Sequence, residues 1–81
     1  MTDVIADNEK ISVYPNPAVA SFELTVPETL TGEQAYIFDI SGKPVRNFTV
    51  GDIKTTVSTA GMTSGIYFVK VGNNTEKIVV K

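Results

Sequence analysis

The sequence predicts an all-β fold, mostly antiparallel, of six to seven strands arranged as a sandwich or barrel. Three observations carry this prediction. From Ile11 onward, breaks built from Gly, Pro, Asn and Ser recur about every 8–12 residues, a spacing that suits sandwiches and barrels rather than helical or βαβ folds. Segments between the breaks alternate apolar and polar residues with period two, most cleanly Phe22, Leu24 and Val26 against Glu23 and Thr25. Near the end, Gly72-Asn73-Asn74 is a hairpin signal, because Gly and Asn tolerate the left-handed backbone that tight β-turns need.

Residues 1–10 are polar and acidic and read as a linker or frayed arm. Residues 11–14 form a short first strand. Pro15-Asn16-Pro17 ends it, since each proline fixes φ and removes a ladder N–H, while Asn16 is expected to bond the backbone of the turn. Residues 21–26 form the next strand, stopped by Pro27, with Thr31-Gly32 as a turn. Residues 34–40 are apolar on both faces, which predicts a central strand. Ser41-Gly42-Lys43 is a tight connection in which Gly42 supplies a positive φ. Residues 44–50 follow, with Val45 and Phe48 expected inward and Pro44 fit only for a first position or an edge. Gly51-Asp52 turns the chain into a strand over 53–57. Residues 58–64 are irregular and leave room for one helical turn. Residues 66–71 and 75–81 are the last two strands, the final one with Ile78 and Val80 on one face and Lys77, Val79 and Lys81 on the other.

At 81 residues the chain is one domain, of a size that buries only about 60% of its unfolded surface. No apolar run approaches the roughly 18 residues of a membrane helix, and Met1-Thr2-Asp3-Val4 lacks the basic start and apolar stretch of a secretory signal. There is no cysteine, so no disulfide and no thiolate chemistry, and no histidine, the commonest general base and metal ligand. The net charge of −2 hides an asymmetry: residues 1–39 hold seven acids and one base, residues 40–81 two acids and six bases. Complementary strands explain it; a basic face offered to an acidic partner is the sharper reading. Nucleic acid is not an expected partner of a domain that is acidic as a whole.

Catalysis has little footing. Ser–His and Cys–His pairs are excluded, no glycine-rich phosphate loop occurs, and no cofactor or metal is expected. Asp39 stands alone rather than in a calcium-like cluster, so a turn-stabilising hydrogen bond is its expected role. Tyr14 reads as a core or sandwich-edge aromatic with a satisfied hydroxyl, and the aromatics in general fall at core-like positions. The segment Lys77-Ile78-Val79-Val80-Lys81 has two readings. Edge lysines discourage strand addition. The same strand also offers unpaired backbone groups, two charges and an accessible end, a handle for strand addition or end capture.

Four phrases occur in order along the chain: Val13-Tyr14-Pro15-Asn16-Pro17, Phe38-Asp39-Ile40-Ser41-Gly42-Lys43, Ser64-Gly65-Ile66-Tyr67-Phe68-Val69-Lys70-Val71 and Lys77-Ile78-Val79-Val80-Lys81. This layout, over residues 11–81, resembles the C-terminal sorting domain of the type IX secretion system of Bacteroidetes. Pro44 and Met62 are departures from the family's usual residues. The resemblance implies a small antiparallel, immunoglobulin-like β-sandwich that performs no chemistry. It implies that residues 1–10 are the arm to an upstream cargo, where the domain is cut away. It implies recognition by the outer-membrane translocon through Lys77, Ile78, Val79, Val80 and Lys81. Pro15, Asn16, Pro17, Asp39, Gly42, Lys43, Gly65 and Tyr67 are then motif residues of structural or recognition type. The implied route runs through the periplasm to the cell surface or beyond, with a shuttle protein and a sortase-like peptidase as further partners. Two other classes compete: a fibronectin-like structural or adhesive module, for which the last lysines are dispensable, and a carbohydrate-binding module, which needs an exposed aromatic pair and has no tryptophan to supply it. The short first strand, between an arm and a rigid turn, predicts a monomer with some tendency to strand-swapped dimers.

Overall fold

A computed structural model describes residues 10–81; the expected upstream arm therefore lies outside the described residues but for Lys10. Seven strands follow one another: β1 (Ser12–Tyr14), β2 (Ser21–Thr25), β3 (Gln34–Asp39), β4 (Pro44–Thr49), β5 (Lys54–Ser58), β6 (Gly65–Val71) and β7 (Asn74–Val80). They form two sheets, one of order β1-β2-β5 and one of order β4-β3-β6-β7, with every pairing between strands antiparallel. Two of the connections are hairpins within the four-stranded sheet, β3–β4 and β6–β7; the chain changes sheet after β2, β4 and β5. This is the small antiparallel β-sandwich the sequence predicts, with the immunoglobulin-like strand order the resemblance implies.

The core lies between the sheets. Phe22, Leu24 and Val57 come from one sheet; Ala35, Ile37, Val69, Val71, Ile78 and Val80 come from the other, and all are buried. Period-two alternation puts them there, since each partner across the ladder shares a face: Phe22 is opposite Val57, Ala35 opposite Val71, Ile37 opposite Val69. Truncating Phe22 to alanine would cost about 3–5 kcal/mol. Tyr67 joins the core with its hydroxyl donating to the Thr63 carbonyl at 2.7 Å. A tyrosine near the start of this strand, tied to backbone a few residues upstream, is a recurring corner of such sandwiches.

The structure corrects several expectations. Residues 28–30 form a 3-10 turn that the sequence did not announce; it buries Leu30 under one end of the core. Residues 58–64 hold no helical turn, only a reverse turn closed by the Met62 amide on the Thr59 carbonyl at 3.0 Å. Both Val45 and Phe48 do pack on the core, although three residues apart in a strand. A register shift between Ile37 and Phe38 makes this possible, moving the partner from Arg46 to Pro44 and leaving Val45 as the extra residue of a bulge. Tyr14 is not a core aromatic: it is 75% exposed. Nor do the aromatics as a group fill the core, because Tyr36, Phe38 and Phe68 lie on the outer face of the four-stranded sheet, where Tyr36 and Phe38 stack with centroids 6.1 Å apart.

Candidate recognition surface

The four phrases, far apart in the chain, meet around one end of the four-stranded sheet. Asp39 pairs with Tyr67, Tyr67 with Ile78, and Gly65 with Val80, so the end of β3, the start of β6 and the end of β7 form one neighbourhood. Pro15-Asn16-Pro17 enters it from the other sheet. After β1 the chain leaves the three-stranded sheet, with cis bonds before both prolines, and reaches the edge of β7. There the Asn16 carboxamide nitrogen donates to the Lys77 carbonyl at 3.0 Å, and its oxygen accepts from the Val79 amide at 2.9 Å. Two residues on, the Ala18 amide donates to the Val79 carbonyl at 2.7 Å and the Lys81 amide to the Ala18 carbonyl at 2.8 Å, a single parallel bridge.

This arrangement corrects the expectation of unpaired backbone along the last strand. The outward groups of Lys77, Val79 and Lys81 named above already have partners within the domain. Asn16 does bond backbone, as expected, but backbone some sixty residues away rather than in its own turn. From the Lys77 carbonyl to the Lys81 amide, what the edge of β7 still presents is side chains. Ile78 and Val80 point into the core and are buried, whereas Lys77 and Lys81 are exposed and Val79 is half-buried.

The Asp39 turn is self-contained. One carboxylate oxygen accepts from the Ser41 amide at 2.9 Å, the Ser41 hydroxyl at 2.7 Å and the Lys43 amide at 3.0 Å. The backbone closes it twice, Gly42 amide to Asp39 carbonyl and Asp39 amide to Lys43 carbonyl, both at 2.9 Å. Gly42 has φ +90°, where a side chain would be strained although nothing lies within 4 Å of the position a Cβ would take. The Ser41 hydroxyl first, then the Lys43 amide, hold the Asp39 carboxyl below the ordinary aspartate value of 3.8. Its role is the turn-stabilising one. Tyr67 and Gly65 likewise serve the frame: the first is buried, the second opens β6 opposite Val80.

Sequence reasoning missed the neighbours of these residues. Phe68 sits opposite Lys77 and Ile66 opposite Val79, so the exposed side chains of β7 continue a surface begun on β6. On the far side of the sandwich a cleft of about 370 Å³ lies between β4 and β5, but its one cation, Arg46, donates to the Ala60 and Val45 carbonyls. Among the described residues no group of three His, Cys, Asp or Glu side chains is placed to hold a metal, and no helix is long and apolar enough to cross a membrane.

Residues 12–81 match the model of the secretion system C-terminal sorting domain. The chain belongs to this family of type IX sorting domains. Beta-agarase A of Zobellia galactanivorans is 29% identical over 69 residues, which make up 85% of this chain but 13% of the agarase. The chain thus spans a small part of that relative's length, and the agarase activity in its name is that protein's. No solved structure gives a significant match. A sorting domain is a signal rather than a catalyst, and membership in this family supports a non-enzymatic role in export.

Proposed function

We propose that residues 11–81 are the signal by which the type IX outer-membrane translocon takes up an upstream cargo, delivers it to the cell surface or medium, and passes it to a shuttle protein and a sortase-like peptidase. The observation that carries this reading is the last strand. Asn16 and Ala18 occupy its outer edge at the Lys77 carbonyl, the Val79 amide and carbonyl and the Lys81 amide, while the side chains of Lys77, Val79 and Lys81 remain presented. Recognition then reads these side chains, with Ile78 and Val80 acting only to seat the strand. The periplasm is the compartment in which the domain folds and is read. Cleavage falls in the arm that precedes β1, within or next to residues 1–10. In isolation the domain is a monomer in exchange with a minor strand-swapped dimer, in which β1 crosses to a second copy; one mass at every concentration in light scattering would remove the dimer.

The test is export of a fluorescent reporter fused ahead of this chain, behind a signal peptide, in a bacterium with type IX machinery. Removing residues 77–81 should leave the reporter in the periplasm. A double charge reversal, Lys77→Glu with Lys81→Glu, should lower surface delivery without unfolding the domain. Surface delivery unaffected by either change would favour a fibronectin-like structural module, to which the sheet order is equally suited. A second reading draws on the exposed face of Tyr36 stacked on Phe38: a carbohydrate-binding module. It requires saturable binding of agarose oligosaccharides that Tyr36→Ala abolishes, and a flat titration disposes of it.

A further inference from the structure

The two outer faces of this sandwich differ in kind. On the three-stranded sheet, Glu23 stands between Tyr14 and Thr56, Ser21 opposite Ser58, and Thr25 opposite Lys54, the mixed polar pattern of a sheet face turned to water. On the four-stranded sheet, Phe38 stands opposite Phe68 and Phe68 opposite Lys77; Tyr36 stands opposite Lys70; Ile66 stands opposite Val79. Tyr36 is 40% and Ile66 37% exposed. No outer-face position on β3, β4, β6 or β7 carries a carboxylate; Glu33 lies beside this face, where with Gln34, Tyr36, Lys70 and Gly72 it lines a small cleft of about 240 Å³.

We propose that this face, rather than the last strand alone, docks an acidic polypeptide segment with an aliphatic or aromatic side chain at its centre. The inference rests on the sorting reading and names the surface through which it operates. An aromatic centre with cations at its margin is how protein interfaces concentrate affinity, and the lysines select an acidic partner by charge complementarity. Two other occupants fit less well. An anionic lipid surface gains about 1 kcal/mol per lysine near it. Here few lysines share the face and the domain as a whole carries −2. The face is also a sheet, with no apolar helix to sink into the acyl boundary. A second copy packed face to face would bring together two faces that carry Lys70 and Lys77 and no outer-face carboxylate.

Lys70 tests this specifically, since it lies outside the last strand. In the reporter fusion, Lys70→Glu should lower surface delivery about fivefold or more, with Lys70→Arg near wild type; Asn47→Glu, on the same face opposite Tyr36, should act like Lys70→Glu. Thermal unfolding of the purified chain checks that each variant folds. A benzoylphenylalanine placed at position 36 should cross-link, in exporting cells, to a partner peptide containing Asp or Glu, and Lys70→Glu should weaken that adduct. The same probe at position 56, on the opposite face, should not form it. Wild-type delivery by folded Lys70→Glu and Asn47→Glu variants overturns the proposal while leaving the sorting reading intact. So do equal adducts from positions 36 and 56, cross-links to a second copy of this chain, or Lys70-dependent cosedimentation with phosphatidylglycerol vesicles in place of a peptide adduct. Failure of the wild-type fusion to reach the surface, with a control cargo exported, overturns both.

Discussion

A side-chain carboxamide offers an N–H donor beside a carbonyl acceptor as a peptide unit does, with a second N–H to spare, and Asn16 turns one donor and the acceptor toward β7 where a neighbouring strand would put its own. Asn16→Ala should therefore cost about 1–2 kcal/mol. It should also speed amide exchange at Val79 while leaving Ile78 and Val80, which face β6, protected. Asn16→Asp should be no remedy, because a carboxylate accepts from Val79 but repels the Lys77 carbonyl. Asp39 makes the complementary case of a short-range contact. Its carboxyl is held below the usual value by the Ser41 hydroxyl and Lys43 amide, so the folded state favours the charged form. That contribution is complete above the ordinary aspartate range and is lost as pH falls through the lowered value. Thermal unfolding followed downward from pH 5 should show an acid slope that Asp39→Asn makes shallower. Of these two residues, Asp39 was legible in the sequence, since all its partners lie within four positions. The role of Asn16 was legible only by type, because a strand some sixty residues away cannot be read from a Pro-Asn-Pro turn.

The last strand separates two sets of side chains by parity, buried Ile78 and Val80 from exposed Lys77 and Lys81. Ile78, buried at 0% exposure against the opposite sheet, should cost about 2–5 kcal/mol on replacement by alanine, with export lost through unfolding. Lys77→Ala should leave the unfolding midpoint nearly unchanged, as exposed substitutions do, yet reduce export. Finding the reverse order would mean that the domain is read by its stability and not by its surface. Alternation made this strand and β2 readable in advance, and glycine and asparagine did the same for the β3–β4 turn and the Gly72-Asn73 hairpin. Alternation failed where its own premise fails. β3 and β6 are apolar on both faces, so period two cannot say which face is the core, and Tyr36, Phe38 and Phe68 were misplaced inward. In β4 the expectation that Val45 and Phe48 point inward holds, but through a bulge rather than through alternation. The 3-10 turn at 28–30 depends on Leu30 finding the end of a core that only the assembled sheets create.

A sandwich has two open sides, and this one closes them differently. Beside β1 and β7 the closure is Asn16 and Ala18 on the edge of β7; beside β4 and β5 it is the Arg46 guanidinium on the Ala60 carbonyl. These closures share no partner residue. The losses in Asn16→Ala and Arg46→Ala should add in the double variant to within about 0.5 kcal/mol, as measured by denaturant unfolding; a larger coupling would show that the sheets shift against each other as rigid plates.

The first of these closures also fixes an order of events. Asn16 and Val79 are 63 positions apart, and at roughly 5–20 residues per second a ribosome finishes the second several seconds after the first. Until then the Pro-Asn-Pro segment has nothing to hold, and protease should cut there in chains stopped after residue 76. The Pro-Asn-Pro segment is therefore anchored only in a chain translated through β7, so completion of this strand is what turns an open sandwich into a closed one.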